Sequence, residues 1–194
     1  MVMIQPRNRM SCLLLICLLV LHCPSLIFAQ DETTFKEYDV KAVWLIAFLR
    51  FIDWPADAMS KSDTITIGIF GDQPVPSQFA LALDTPVKGK KLVIRSIREL
   101  QEDTVLSDCL ILFIDANHIE SLETIIGLVD TKSVLTVSET DAFLENGGIV
   151  NFVIVNDQIR FEINQVAAQK SGLRIPSQLL RRAHKVIRKE RGNP

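Results

Sequence analysis

The chain has 194 residues, of which 48% are hydrophobic and 23% are charged, and its formal net charge is −2. This hydrophobic content can build a core, which excludes an intrinsically disordered chain, and the length suits one domain once a targeting segment is removed. A near-neutral charge does not favour a nucleic-acid-binding protein, because contacts with phosphates require a basic face.

The first 29 residues have the pattern of a secretory signal peptide. Two arginines precede an apolar run from Met10 to Leu21, and Cys23-Pro24-Ser25 follows. The run is shorter than the roughly 20 apolar residues that cross a bilayer. We therefore predict a signal cleaved near Ala29, an exported chain, and a single domain over residues 30–194.

Export leaves Cys109 as the one cysteine of the mature chain, so no internal disulfide is predicted. Cys109 is the first residue of the apolar segment Cys109–Ile114, which favours a small buried side chain over a cysteine that pairs with another chain. Charge is uneven along the mature chain. Residues 30–180 carry a net charge of −9 and residues 181–194 one of +5. We interpret the basic end as the solvated end of a helix, with an acidic-partner or membrane contact as the alternative.

The first predicted element is a helix over Phe35–Ile52, ended by Trp54-Pro55. Both of its faces are apolar, so the helix is either buried on both sides or buries one side against another chain. One face carries Tyr38, Ala42, Leu45, Phe48, Leu49 and Ile52, and the other carries Val40, Val43, Trp44, Ala47 and Phe51. We predict Trp44, Phe51 and Trp54 as partner-binding residues, with a core position as the alternative for each.

Continuous apolar strands then alternate with helices, which is typical of a parallel sheet covered on both faces. The predicted strands are Thr64–Phe70, Lys91–Ile97, Cys109–Ile114 and Ser133–Ser138, and the predicted helices are Pro76–Leu83 and Asn117–Val129. Next come a hairpin of Ile149–Val155 and Ile159–Ile163, a short helix capped by Asn164, and a last helix that opens at Pro176-Ser177. The predicted fold class is α/β: a mixed, mainly parallel sheet with helices on both faces (a Rossmann-like three-layer sandwich) and a C-terminal antiparallel hairpin.

Acidic side chains follow two of these strands. Ligands of open parallel sheets bind beyond the carboxyl ends of the strands, so Asp72 and Asp115 are candidate residues of a ligand crevice. A phospho-acceptor domain is disfavoured, because the first strand is followed by a single carboxylate. His118 and His184 lack metal-ligand spacing and are predicted at the surface. We predict no catalytic residue, no metal and no cofactor.

Seven ordered segments resemble the YfiR family of small exported proteins, and together they cover essentially the whole mature chain. They are Glu37–Pro55, Ile67–Asp72, Cys109–Ile114, Val134–Ser138, Gly147–Phe152, Arg160–Asn164 and Gly172–Leu180.

The resemblance implies a periplasmic, non-enzymatic regulator. Its partner would be the periplasmic part of a membrane diguanylate cyclase, which it holds inactive, so that cyclic di-GMP and biofilm formation fall. The resemblance also implies a homodimer. Relatives often carry a second cysteine in the first strand that can pair with the one matching Cys109, whereas this chain has Gly68 in that neighbourhood, so the resemblance implies that it lacks this disulfide. The alternative function is a periplasmic small-molecule sensor or carrier without a cyclase partner, and an enzyme ranks last.

Overall fold

The computed structural model describes residues 29–71, 79, 83, 85–98 and 108–189. The chain divides into two compact units, residues 1–36 and 37–194, and every side-chain contact reported below lies within the second. The predicted signal peptide, most of the predicted helix at Pro76–Leu83, and Asp72 lie outside the described residues. Within the described part of the chain, no helix is long and apolar enough to cross a bilayer.

The described helices and strands follow one another in a fixed order. They are α1 (Ala29–Phe51), α2 (Ala56–Ser60), β1 (Thr64–Phe70), β2 (Lys91–Ile97), β3 (Ile111–Ile114), a 3-10 segment (Ala116–Ser121) kinked at His118, α3 (Leu122–Val129), β4 (Leu135–Ser138), β5 (Val150–Val155), β6 (Gln158–Asn164), α4 (Gln165–Lys170), α5 (Ser177–Arg182) and β7 (Lys185–Ile187).

The seven described strands form one sheet in the order β2-β1-β3-β4-β5-β6-β7. Strands β1 to β5 pair in parallel, whereas β6 runs antiparallel to β5 and β7 pairs in parallel with β6. The chain moves from β1 to β2 on one side and then returns to β3 on the other side of β1. The carboxyl ends of β1 and β3 therefore form the topological switch point of the sheet.

Helices cover both faces of the sheet. Consecutive residues of a strand point to opposite faces, so neighbouring residues enter two different cores. In β3, Ile111 and Phe113 belong to the core beneath α1, whereas Leu112 and Ile114 belong to the core beneath α3. Strands that are buried on both faces have continuous apolar sequences, so they can be predicted from the sequence. The predicted α/β class, with helices on both faces and a terminal hairpin, is confirmed.

Two local predictions at the end of the sheet also hold. Asn156 and Asp157 adopt positive φ angles of 50° and 58° between β5 and β6, which matches a two-residue hairpin turn. Asn164 caps α4 by accepting a hydrogen bond of 3.0 Å from the Ala167 backbone N–H. Its own Nδ2 donates to the Leu144 carbonyl at 2.9 Å, so the cap also ties the helix to the loop before β5.

The predicted helical course of the basic segment is wrong beyond Arg182. Helix α5 ends there, and Lys185–Ile187 form the edge strand β7 beside Glu162–Asn164 of β6. His184 lies between the two elements, and its backbone N–H donates to the Phe161 carbonyl at 2.7 Å. A three-residue strand carries no periodicity of its own, so only the neighbouring strand defines it.

Candidate partner-binding surface

Helix α1 packs one face on the sheet and exposes the other. Ala42, Phe48 and Ile52 are fully buried in the core. The opposite face carries an apolar strip, here called the α1 stripe, which consists of Val40, Val43, Trp44, Ala47 and Phe51. Val43 and Phe51 are each 54% exposed and Val40 is 44% exposed. Within this chain the helix is therefore not buried on both sides, and one apolar face of α1 stays exposed.

The C-terminal half of the α1 stripe forms one wall of a groove against α5. This α1–α5 groove has a volume of about 300 Å³ and is lined by Trp44, Phe51, Pro176, Gln178, Leu179 and Arg182. Apolar side chains form its floor, and the Arg182 guanidinium supplies a positive charge. A groove with this lining fits an apolar side chain of a partner that also carries an acidic group.

The backbone holds the two walls of the groove together. Asp53 and Arg174 exchange two backbone hydrogen bonds of 3.1 Å each, just after α1 and just before α5. The Arg174 guanidinium also donates to Asp53 Oδ2 through Nε at 3.0 Å and lies 2.8 Å away through Nη2. The position of α5 beside α1 is thus fixed by a bridge between segments that are far apart in sequence.

The three predicted partner-binding residues differ in position. Phe51 is exposed, and Trp44 is half-buried with its ring 4.7 Å from that of Phe161. Trp54 is only 8% exposed and belongs to the core, where the Lys88 ammonium lies 5.6 Å from its ring centre. Trp44 and Phe51 therefore share one groove, and Trp54 does not lie on this surface.

A polar group of residues joins the middle of α1 to Glu139, the residue that follows β4. Lys41 is 3% exposed and forms ion pairs with both Glu37 and Glu139. Tyr38 donates a hydrogen bond of 2.9 Å to the other oxygen of Glu139. Burial, followed by the charge of Glu139, raises the pKa of the Tyr38 hydroxyl, so this donor keeps its proton.

The position of the Lys41 ammonium differs from what its neighbours in the sequence suggest. From its place among apolar residues, Lys41 is expected to extend along the helix and hold its ammonium in water. The structure instead buries the ammonium between two carboxylates, because Glu139 follows β4 at the edge that α1 crosses. Lys41 and Glu139 are 98 positions apart. No local pattern in the sequence could have paired them.

Asp115 lies at the topological switch point, as the strand pattern predicts. It is 2% exposed and accepts hydrogen bonds from the Asn117 backbone N–H at 3.4 Å and from Asn117 Nδ2 at 3.2 Å. Gly71, with φ of +125°, packs so close that a Cβ there would lie 2.7 Å from Asp115 Cβ. Asp72, the other predicted crevice residue, is outside the described residues.

His118 lies beside this aspartate and is less exposed than its sequence context predicts. Its side chain is 27% exposed, and its ring meets that of Phe70 edge-on with 5.1 Å between centres. Its Nδ1 is 3.9 Å from Asp115 Oδ2, beyond hydrogen-bond distance. No cluster of metal-ligating side chains occurs among the described residues.

Gly68 of β1 lies directly against Cys109. A Cβ at Gly68 would lie 2.8 Å from Cys109 Sγ and 2.9 Å from Ile97 Cδ1. Cys109 is 1% exposed, and burial raises the pKa of its thiol from 9.0 to about 11.

We expect Cys109 to react slowly with iodoacetamide in the folded protein. The thiolate is the reacting species, and the raised pKa of the Cys109 thiol makes the thiolate scarce near neutral pH. Burial slows the reaction further. The measurement is the alkylation rate in buffer and in concentrated urea, followed by mass spectrometry. Equal rates would contradict the buried position of this side chain.

Comparison with known proteins gives one family assignment. A family model described as YfiR/HmsC-like (DUF4154) matches residues 38–184. None of the curated protein sequences matches the chain. The match contains α1 from Tyr38 onwards, the sheet as far as β6, and α5.

Two solved structures are similar over part of their length. A conserved domain protein from Vibrio cholerae has 16% identity and a TM-score of 0.44, with 62% of this chain and 54% of that chain covered. The ABC domain from Streptococcus pneumonia, solved in complex with L-Trp, has 14% identity and a TM-score of 0.47, with 73% and 59% covered. The chain thus spans little more than half the length of either structure.

Proposed function

Because the chain belongs to the YfiR/HmsC-like family, we propose that it is a non-enzymatic regulator that acts in the periplasm. It binds the periplasmic part of a membrane diguanylate cyclase, holds the cyclase inactive and so lowers cyclic di-GMP. The proposal includes export with cleavage near Ala29. The partner docks on the α1 stripe and inserts an apolar side chain into the α1–α5 groove.

The exposed apolar face of α1 is the observation that carries this proposal. Water-exposed valine and phenylalanine side chains in a continuous row mark an interaction surface. A standard protein interface buries about 800 Å² on each partner, which one helix face with an adjoining groove can supply. Phe51 and the half-buried Trp44 provide aromatic anchors of the kind that dominate binding energies.

The test compares two valine-to-aspartate variants in a strain that lacks the chromosomal gene. Val43→Asp places a charge on the α1 stripe, and Val166→Asp places the same charge on α4, where Val166 is 40% exposed. We expect deletion of the gene to raise cellular cyclic di-GMP. Complementation with the Val166→Asp protein should lower it again, whereas Val43→Asp should leave it high.

Circular dichroism and thermal melting of both purified variants establish that each is folded. Repression by Val43→Asp equal to that by Val166→Asp would contradict the proposed surface. A second copy of the chain is the competing occupant of the α1 stripe, and light scattering identifies it. If Val43→Asp converted a dimer to a monomer and still repressed the cyclase, the stripe would be the dimer interface instead.

A further inference from the structure

A second cavity lies at the edge of the sheet where β1 and β3 begin. This amino-edge cavity has a volume of about 280 Å³. Its described lining comes from α2 and the residues after it, from β1, from β2 and the residue before it, and from the segments before β3 and β4. No residue of the α1 stripe or of the α1–α5 groove belongs to this lining. The volume suits a ligand smaller than a drug-sized molecule.

The amino-edge cavity is positively charged, although residues 30–180 carry a net charge of −9. Its described lining contains three cations and one carboxylate, which belong to Lys61, Lys90, Arg95 and Asp108. The Lys90 ammonium donates a hydrogen bond to the Ser62 carbonyl. The side chains of Lys61 and Arg95 make no hydrogen bond or ion pair with other described residues. A cleft in which one sign of charge prevails attracts ions of the opposite sign.

Thr66 adds an independent observation. It lines the same cavity and is only 6% exposed, yet its hydroxyl makes no hydrogen bond with any described residue. Unlike Nε1 of Trp54 and Oδ1 of Asn151, this oxygen is not sealed from solvent. A largely buried hydroxyl without a partner costs free energy, so its place in a cavity marks a position for a hydrogen-bonding ligand.

Thr66 and Arg95 lie on the same face of the sheet. Arg95 pairs in register with Gly68, which follows Thr66 by two residues in β1. Cys109 lies on this face as well, because a Cβ at Gly68 would be 2.8 Å from its Sγ. All three side chains line the amino-edge cavity. The pairing of the strands thus brings the unpartnered guanidinium and the unpartnered hydroxyl to one wall.

These groups require a ligand that is anionic and accepts several hydrogen bonds. A phosphate group carries close to two negative charges near neutral pH and has three or more acceptor oxygens. Two negative charges match the surplus of three cations over one carboxylate in the described lining. We propose that the amino-edge cavity binds a phosphate ion or the phosphate group of a small monoester, with Lys61, Lys90 and Arg95 as its cations and the Thr66 hydroxyl as a further donor.

Inorganic phosphate and glycerol 3-phosphate are the probes that test this site, and glycerol is the neutral control. Both phosphates should raise the melting temperature of the purified protein, because a ligand that binds only the folded state stabilises it. Isothermal titration should give saturable binding at one site. Tighter binding of glycerol 3-phosphate would identify a monoester as the ligand, and tighter binding of inorganic phosphate would identify the free ion. Binding of glycerol as tight as that of the phosphates would overturn the proposal.

Two matched arginine variants and one threonine variant locate the binding. Arg95→Gln removes a cation of the cavity, and Arg160→Gln makes the same change at an exposed strand residue outside it. Arg95→Gln should weaken phosphate binding about tenfold, whereas Arg160→Gln should leave it unchanged. Thr66→Val should weaken binding about fivefold without lowering the melting temperature of the free protein, because the lost hydroxyl leaves no described partner unsatisfied.

Three outcomes would each overturn the proposal. They are equal effects of the two arginine variants, unchanged phosphate binding by the Thr66→Val protein, and no binding of either phosphate by the unaltered protein. The cyclase assay tests the α1 stripe separately.

Discussion

Replacement of Lys41 by methionine should lower the free energy of unfolding by about 3 kcal/mol. The ammonium of Lys41 is buried between Glu37 and Glu139. Methionine retains most of the side-chain length but leaves the Glu139 carboxylate, which is 16% exposed, without its cation. A charge left alone in a largely buried position loses its hydration without compensation. Urea denaturation followed by tryptophan fluorescence measures the change.

Lys170→Met provides the matched control for this prediction. Lys170 pairs with Asp130, but the two side chains are 61% and 30% exposed. An ion pair of this exposure contributes less than about 1 kcal/mol, so the control should lose little stability. The double variant Lys41→Met/Glu139→Leu should recover much of the loss, because it removes both charges. Additive losses in the double variant would show that the two residues do not act as a pair.

Gly148→Ala is the second substitution with a large expected effect. Gly148 precedes β5, and a Cβ there would lie 2.5 Å from Phe143 Cζ and closer still to two other ring carbons. Phe143 is fully buried in the core beneath α3, so its ring has no open space to enter. We expect a loss of about 3 kcal/mol, at the upper end of the usual cost of overpacking. The same denaturation experiment measures it.

Gly127→Ala adds the same methyl group at an exposed position of α3, and its expected effect on stability has the opposite sign. Gly127 lies within α3, and a Cβ there would meet no atom within 4 Å. Alanine at an open helical position should stabilise the protein by about 0.5–1 kcal/mol, because glycine loses more conformational freedom on folding. Destabilisation by both alanines would indicate that backbone conformation, rather than contact with Phe143, decides the result at Gly148.

Much of the fold can be predicted because its signals are local. Inner strands such as β1 and β3 are short and almost fully buried, so they appear in the sequence as largely apolar runs. The turn at Asn156 and Asp157 and the cap at Asn164 depend on residue types with specific backbone preferences. Strand β7 escapes prediction because a basic segment after a helix suggests more helix, and only pairing with β6 makes it a strand.

The candidate surface is predictable only in part. Helical periodicity separates the two faces of α1 and thereby assigns Phe51 and Trp44 to the same face, the α1 stripe. Trp54 follows the end of the helix, where periodicity no longer assigns a face, and the structure places it in the core. The wall of the groove formed by α5 depends on the Asp53–Arg174 bridge across 121 positions. Ion pairs between residues so far apart in the chain produce no recognisable pattern in a single sequence.

The aromatic contacts of α1 also affect when the protein can fold. Phe48 stacks on Phe152 with 6.2 Å between ring centres and meets Phe161 edge-on at 5.2 Å. Phe48 of α1 therefore completes its core only with strands that are synthesised about a hundred residues later. Contacts of such high sequence separation delay folding. This delay suits the proposed export, because a chain that has not yet folded can pass through a membrane pore in an extended state.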